Sequence, residues 1–291
     1  MIICQALTWA QTKLNKAKIN STNLDTEILL SYIIKKNKTF LYSHPEHQLT
    51  QSQITKFKKL INCRVKGEPI AYLIGSKEFY GLNFIVNKHV LIPRPETELL
   101  VDEILKQVKK NQCQKSNAKR QVSLADIGTG SGCIAVSLAK NNPKLKIYAS
   151  DISSQALTVA KKNNKLHRTK IIFKKGNLLK HFKNIKLTAI AANLPYLDIK
   201  HKNLLNSSET IGLKFEPTIA LYSGPDGLDA YRQLFEQIKQ LKYTPNFIYL
   251  EIGHLQITLI KKIINTAFPY AKISIKKDLA GLNRLAIVKF K

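Results

Sequence analysis

Apolar positions follow two regimes along the chain. Over residues 1–75 they recur at helical spacing. Ile3, Leu7, Ala10 and Leu14 form one stripe, Leu24, Ile28 and Tyr32 with Leu29 and Ile33 a second, and Ile54, Phe57 and Ile61 a third. Thr50-x-x-Gln53 stands ahead of the third stripe and reads as a capping box. A small helical domain is the expectation there. From residue 122 onward, short apolar runs alternate with amphipathic segments. They predict strands near 122–127, 145–151, 170–174, 187–193, 246–252, 271–275 and 284–290, and helices near 131–141, 153–166, 227–241 and 254–266. Such alternation specifies an α/β fold with a largely parallel sheet, helices on both faces, and ligands at the carboxyl ends of the strands.

Residues 76–93 change character and predict a β-hairpin linker with its turn near Asn87-Lys88. Pro93-Arg-Pro-Glu-Thr-Glu98 then opens a helix whose apolar face is Val101, Ile104, Leu105 and Val108. The polar residues 111–121 read as a surface connection. The expected organisation is a helical domain over 1–75 and a second domain over 76–291, the hairpin joining them. The helical domain either packs only on itself or recognises a partner, and the pattern leaves both readings open.

Composition narrows the classes. No apolar run approaches the ~20 residues of a transmembrane helix, and the first residues lack a signal peptide's basic region and cleavage site. A cytoplasmic monomer is expected. The four cysteines show no Cys-x-x-Cys spacing and read as reduced, buried thiols; the seven histidines form no ligand pair, so no metal is expected. A formal charge of +28 invites a nucleic-acid reading. Yet of 47 basic residues only Arg64, Arg94, Arg120, Arg168, Arg232 and Arg284 are arginines, and the lysine pairs are scattered. We read the charge as solvated lysine faces with a weak, salt-dependent attraction for polyanions.

Two motifs carry chemistry. Asp126-Ile-Gly-Thr-Gly-Ser-Gly132 follows one predicted strand, and Asn193-Leu-Pro-Tyr196 ends another. A glycine-rich turn lets backbone approach a nucleotide-like ligand, and Asp151 at the next strand end can accept hydrogen bonds from ribose hydroxyls. Those features fit NAD and S-adenosylmethionine equally, and Asp151 also reads as an N-cap. Asn-x-Pro-Tyr separates the two, because hydride transfer has no use for it. An amide oxygen and a carbonyl can each accept an N–H of a planar nitrogen, turning its lone pair toward a methyl donor.

These motifs resemble those of the bacterial release factor glutamine methyltransferases (the HemK/PrmC family). So do 67–75, Val90-Leu-Ile-Pro-Arg-Pro-Glu-Thr-Glu98, Glu216-Pro217, Gly227-Leu228, Glu251-Ile-Gly253, and Lys277-Asp-Leu-Ala-Gly281 with Arg284. The resemblance covers essentially the whole chain and implies a Rossmann-like methyltransferase sheet. It implies methyl transfer from S-adenosylmethionine to N5 of the glutamine in the Gly-Gly-Gln motif of class I peptide chain release factors. Gly128, Thr129, Gly130, Ser131, Gly132, Asp151, Leu178 and Asn193 would hold the cofactor, and Asn193, Leu194, Pro195 and Tyr196 the substrate glutamine. Two positions depart from the family pattern. Leu194 replaces the first proline of Asn-Pro-Pro-Tyr, and Asn177 stands where an acid is usual. Leu194 is expected to act only through its carbonyl, so that proline there would keep or raise activity. A nucleic-acid amino methyltransferase and a non-catalytic RNA-binding protein are the rival readings.

Overall fold

The structure is a computed structural model and describes residues 1–114, 122–200 and 210–290, without the side chains of 111–114. Most of the predicted connection 111–121 therefore lies outside the described residues, and α6 runs to Gln114. The chain divides into two compact units. The first is Met1–Ser76 with Asn203–Glu216, of which residues 210–216 are described. The second is Lys77–Lys202 with Pro217–Lys291, described to residue 290.

The first unit holds α1 (Ile3–Lys16), α2 (Thr22–Ile34), α3 (Lys38–Ser43), α4 (Gln51–Val65) and α5 (Ile70–Ile74). Thr50 and Gln53 form the predicted capping box, with Gln53 N–H donating to Thr50 Oγ1 at 3.2 Å and Thr50 N–H to Gln53 Oε1 at 2.8 Å. The core is Ile3, Ala10, Leu14, Leu29, Leu30, Leu41, Phe57 and Ile61 among others. The predicted α2 stripe is wrong in part: Leu24 is 49% and Tyr32 50% exposed, while Asp25, Thr26, Leu29, Leu30 and Ile34 are buried. Apolar residues surround α2 on most sides, so spacing alone does not choose a face. A charge does. Arg64 Nε donates to Asp25 Oδ2 at 2.7 Å, and the guanidinium also donates to the carbonyl of Glu68 at 3.2 Å. Burying that ion pair turns Asp25 inward and Leu24 outward. The thiol expectation also needs correction. Cys133 is buried, but Cys63 is half-buried and Cys4, beside the Ile3–Ala6–Ala10–Leu14 stripe, is exposed.

The second unit opens on β1 (Ser76–Phe79), from its second residue on, and β2 (Leu82–Ile85). Their turn is at Tyr80-Gly81, not Asn87-Lys88. Both turn residues have positive φ, 53° and 70°, the geometry that matches the twist of a two-residue hairpin. Tyrosine seldom adopts that conformation, and three acids hold it there. Tyr80 N–H donates to Glu98 Oε1 at 2.8 Å, its hydroxyl to Asp102 Oδ1 at 2.6 Å, and Gly81 N–H to Glu78 Oε1 at 2.7 Å. Asn87 makes a separate turn, accepting from His89 N–H. The hairpin is built into this unit, with Phe79 and Phe84 packed against Leu100, Val101 and Ile104 of α6 (Glu98–Gln114).

A seven-stranded sheet follows. Its strands are β3 (Ser123–Ile127), β4 (Lys146–Asp151), β5 (Ile171–Lys175), β6 (Ala189–Ala192), β7 (Phe247–Glu251), β8 (Lys272–Lys277) and β9 (Asn283–Lys289). The order is β5-β4-β3-β6-β7-β9-β8; the first five are parallel and β9 is antiparallel to both neighbours. Alternate residues feed two cores. Ile127, Ile190, Ala192, Ile248 and Leu250 face Leu234, Phe235 and Ile238 of α9 (Asp229–Lys239) and Ile260 and Ile264 of α10 (Ile257–Ala267). Leu124, Ala189, Ala191 and Tyr249 face α6 and α7 (Cys133–Asn141). Lysines occupy both edge strands, Lys174 and Lys175 on β5 and Lys272, Lys276 and Lys277 on β8, where charge discourages pairing with another sheet. The chain runs outward from β3 to β5, then returns to place β6 on the other side of β3. That reversal opens a crevice at the carboxyl ends of β3 and β6.

One buried side chain ties the hairpin to this crevice. Asn163, on α8 (Ser154–Leu166), accepts from Ile85 N–H at 2.7 Å and donates to the carbonyls of Ile85 at 3.0 Å and Ser131 at 2.9 Å. Asn163→Ala removes all three bonds and strands buried backbone groups. It is expected to lower stability by about 2–4 kcal/mol, read as a shifted urea midpoint at unchanged slope.

Candidate active site

β3 ends in three glycines with positive φ, 71° at Gly128, 54° at Gly130 and 81° at Gly132. A Cβ on Gly128 would stand 2.8 Å from Leu194 Cδ2, and one on Gly132 would press on Ala160, whereas around Gly130 nothing lies within 4 Å. Gly128 and Gly132 are thus close approaches of chain to chain, while Gly130 opens onto the crevice. Gly128 N–H and Thr129 N–H both donate to the carbonyl of Ser150 at 2.9 Å. The loop is pulled over the next strand end, where Asp151 sits. Asp151 Oδ2 accepts from Gly130 N–H at 2.9 Å and Oδ1 from Ser153 N–H at 2.8 Å. Burial raises the Asp151 pKa from its ordinary value, and these two backbone donors pull it back. The N-cap of α8 is Ser153, whose Oγ accepts from Ala156 N–H, so Asp151 is not the cap.

Beneath the loop lies Asp126. Its Oδ2 accepts from Thr129 Oγ1 at 2.6 Å and from Ala135 N–H at 3.3 Å, while its buried Oδ1 has no hydrogen-bond partner. Burial pushes this carboxyl up to about 7. On the third side, Gly176 N–H donates to the carbonyl of Asp151, and Leu178, at φ 53°, accepts from Ser150 Oγ through its carbonyl at 2.8 Å.

The fourth side is the end of β6. Asn193 Nδ2 donates to Thr97 Oγ1 at 3.1 Å, and Thr97 Oγ1 donates to Glu251 Oε2 at 2.6 Å. Tyr196 donates its hydroxyl to Glu251 Oε1 at 3.3 Å. Tyr231 donates to the carbonyl of Glu251 and accepts from Leu194 N–H. Glu251 is buried, which pushes its carboxyl up to about 7 against the opposing pull of Thr97, Arg284 and Tyr196. Arg284 is itself held by Asp278, which accepts its Nε–H at 3.2 Å and whose other oxygen accepts from Ala280 and Leu282 N–H.

One cavity joins these parts. Gly128, Thr129, Gly130, Ser131, Asp151, Leu178, Asn193, Leu194 and Pro195 all line it, together with Gly176 and Asn177. Gly132 and Tyr196 are not among its lining residues. Gly132 serves the packing of α7 on α8, and Tyr196 braces Glu251 instead of offering its hydroxyl to the cavity. The sequence reading assigned no role to His89, Val90, Arg94 and Thr97, which supply one wall. Val90, Arg94 and Thr97 sit in a motif singled out without a role, with His89 just before it, and the prolines that stiffen it were the available signal. The cavity suits S-adenosylmethionine: a glycine cradle open at Gly130, a carboxylate at Asp151 beside it, and a mixed wall at 176–178 for a flat base.

Family comparisons agree with this geometry. Residues 5–75 match the PrmC N-terminal domain and 97–211 the methyltransferase small domain. The release factor glutamine methyltransferase of Bacillus anthracis is 34% identical over 99% of this chain and 99% of its own. That of Coxiella burnetii is 38% identical over 91% of both. The chain belongs to the release factor glutamine methyltransferase family. It is an S-adenosylmethionine-dependent protein glutamine methyltransferase. It also matches the bifunctional methyltransferase of Rickettsia felis, 38% identical over 98% of this chain but spanning only 57% of that protein. In fold it is similar to the N-terminal domain of human METTL16 in complex with SAH, at 15% identity, 90% and 94% coverage and a TM-score of 0.51. No helix among the described residues is long and apolar enough to cross a membrane.

Leu194 does more than lend a carbonyl. Its side chain is 4% exposed and fills the space over Gly128, and its N–H donates to Tyr231 at 3.3 Å. Proline has no N–H and is smaller. Leu194→Pro is therefore expected to cost about 1–3 kcal/mol of stability, against the sequence-based expectation of a neutral or improved enzyme. Urea unfolding of the variant measures it.

Proposed function

We propose that Asn193, Leu194 and Pro195 hold the substrate glutamine, that 128–131, Asp151 and Leu178 hold the cofactor, and that the target is N5 of the glutamine in a Gly-Gly-Gln motif of a release factor. The observation that carries this reading is the Asn193 amide: the residue lines the cavity and its NH2 donates to Thr97, which leaves Oδ1 as the end to accept from a substrate. A glutamine amide nitrogen is a weak nucleophile because its lone pair is delocalised into the carbonyl. Asn193 Oδ1 accepts one of its hydrogens and the carbonyl of Leu194 the other, which holds the nitrogen's open face toward the methyl group. S-adenosylmethionine, when bound, supplies a methyl activated by its sulfonium. As the nitrogen gains the methyl it becomes acidic, and both acceptors then bind its hydrogens more strongly than they bind the ground state. The nitrogen afterwards loses one proton to solvent.

Asp151 supports the cofactor as an acceptor for ribose hydroxyls, since two backbone donors fix both its oxygens in orientation. Asn177 is an uncharged acceptor beside the base. The helical unit, residues 1–75, is the recognition domain for the release factor, on the support that it contributes no residue to the cavity lining. We place the enzyme in the cytoplasm as a monomer, with its lysines giving a weak attraction for nucleic acid.

Two variants test the assignments. Asp151→Ala is expected to weaken binding of S-adenosylmethionine and of its demethylated product by roughly tenfold to a hundredfold in calorimetry. Asn193→Ala is expected to spare that affinity and to slow single-turnover methylation of a release factor by about 2.7–4 kcal/mol in the barrier. Wild-type affinity in the first, or wild-type turnover in the second, removes the residue from its role. Deleting residues 1–75 is expected to leave product-cofactor binding and abolish methylation of an intact release factor; full-rate methylation by the folded, shortened enzyme would make the domain structural only.

A further inference from the structure

Three motifs stood out in the sequence without receiving a role: Thr97 in its proline-rich string, Glu251-Ile-Gly253, and Lys277-Asp-Leu-Ala-Gly281 with Arg284. The fold brings all three behind Asn193. We propose that Thr97 and Glu251 are positioning residues, forming a one-way hydrogen-bond relay that fixes which end of the Asn193 amide faces the substrate. The inference rests on the reading that Asn193 accepts from the substrate nitrogen.

The direction of the relay follows from donor arithmetic. An ionised carboxylate only accepts, a hydroxyl has one hydrogen, and an amide has one accepting and one donating end. Glu251 Oε2 stands 2.6 Å from Thr97 Oγ1, so the single Thr97 hydrogen goes to the carboxylate. Thr97 Oγ1 can then only accept from Asn193, and it is the NH2 end of that amide, at 3.1 Å, that meets it. That leaves Asn193 Oδ1 as the accepting end for the cavity that the residue lines. A reversed relay would present the NH2 end to a substrate that itself brings N–H groups, donor against donor. Thr97 and Glu251 are both buried, so water does not supply an alternative partner cheaply.

The charge on Glu251 is what sets the direction. Groups facing it come from five elements: Thr97 and Glu96 ahead of α6, the Cys133 thiol on α7, Tyr196 after β6, Tyr231 on α9 and Arg284 on β9. Of these, Arg284 is the cation that favours the ionised form, and Asp278 in the β8–β9 turn orients it. Glu96 opposes, as does burial, and together they bring the carboxyl to about 7. Below that pH a protonated Glu251 can donate to Thr97, freeing the Thr97 hydrogen for Asn193 Oδ1 and reversing the relay. Activity is expected to fall as pH drops through the neutral range and to be full above it.

The test is single-turnover methylation of a release factor by the full-length enzyme, with calorimetric affinity for S-adenosylhomocysteine as the control for an intact fold and cofactor site. Thr97→Ser keeps the hydroxyl and is expected to stay within about threefold of the wild-type rate; Thr97→Val is expected to lose roughly tenfold to a hundredfold in rate at unchanged affinity. In an Asn193→Ala background Thr97→Val should change the rate by less than about twofold, because the residue it acts through is gone. Glu251→Gln, which can donate to Thr97 at any pH, is expected to be slow and to lose the acidic limb of the wild-type pH profile. Should Thr97→Val fail to fold, that comparison of pH profiles decides. A Thr97→Val enzyme with wild-type rate, effects that add fully to those of Asn193→Ala, or an acidic limb in Glu251→Gln that keeps the wild-type midpoint and depth, overturns the relay. A wild-type rate in Asn193→Ala alone instead overturns the underlying reading of the substrate site.

Discussion

A carboxylate shut away from water has to be answered by the protein, and Glu251 is answered from every side. Thr97 and Tyr196 reach its two oxygens, Tyr231 its main-chain carbonyl, and Arg284 supplies the opposing charge. An unpartnered buried charge is costly, and the idealised cost of burying an ion outright is of order 20 kcal/mol. None of these four groups is therefore free to wander. The wall at 89–97, the loop after β6 and the β8–β9 hairpin take their places around one side chain, and α9 around the main chain of the same residue. The pairing of β6 with β7 and of β7 with β9 then extends that alignment through the sheet.

The opposite half of the crevice is built on a different economy. There the backbone itself supplies the order, through Gly128, Thr129 and Gly130 N–H groups bonded to Ser150 and Asp151. Glycines make this possible, and the adjacent strand end fixes it. The two halves meet where Leu194 packs over Gly128, so the leucine in this chain's Asn-Leu-Pro-Tyr is a joint between cofactor loop and substrate loop.

Much of this was legible in the sequence because it is local. Strand and helix alternation after residue 122, the glycine turn, Asp151 one strand later and the capping box at Thr50 all rest on spacing within a single element or loop. What was illegible depends on distance or on rarity. The hairpin turn escaped because Tyr80 takes a conformation that composition does not announce, and acids from α6 impose it. The face of α2 escaped because Asp25 finds Arg64 only in the fold, 39 residues away. Thr97 and Glu251, 154 residues apart, carry no spacing that could join them. Tyr196 and Gly132 lie in recognisable motifs, yet only the packing reveals that they face away from the cavity.

The sheet order has a consequence for how the molecule is made. β9 follows β8 in the chain but lies inside it, between β8 and β7. As the polypeptide emerges from the ribosome, amino end first, β7 must wait with a bare edge while β8 is synthesised beyond it. Only when β9 slots in does β7 gain its second neighbour, and the same strand delivers Arg284 beside Glu251. The second edge of β7 and the cation beside its buried acid thus come from the same strand. A nascent chain halted before residue 284 can carry both sequence motifs of the crevice and still lack the cation that completes it.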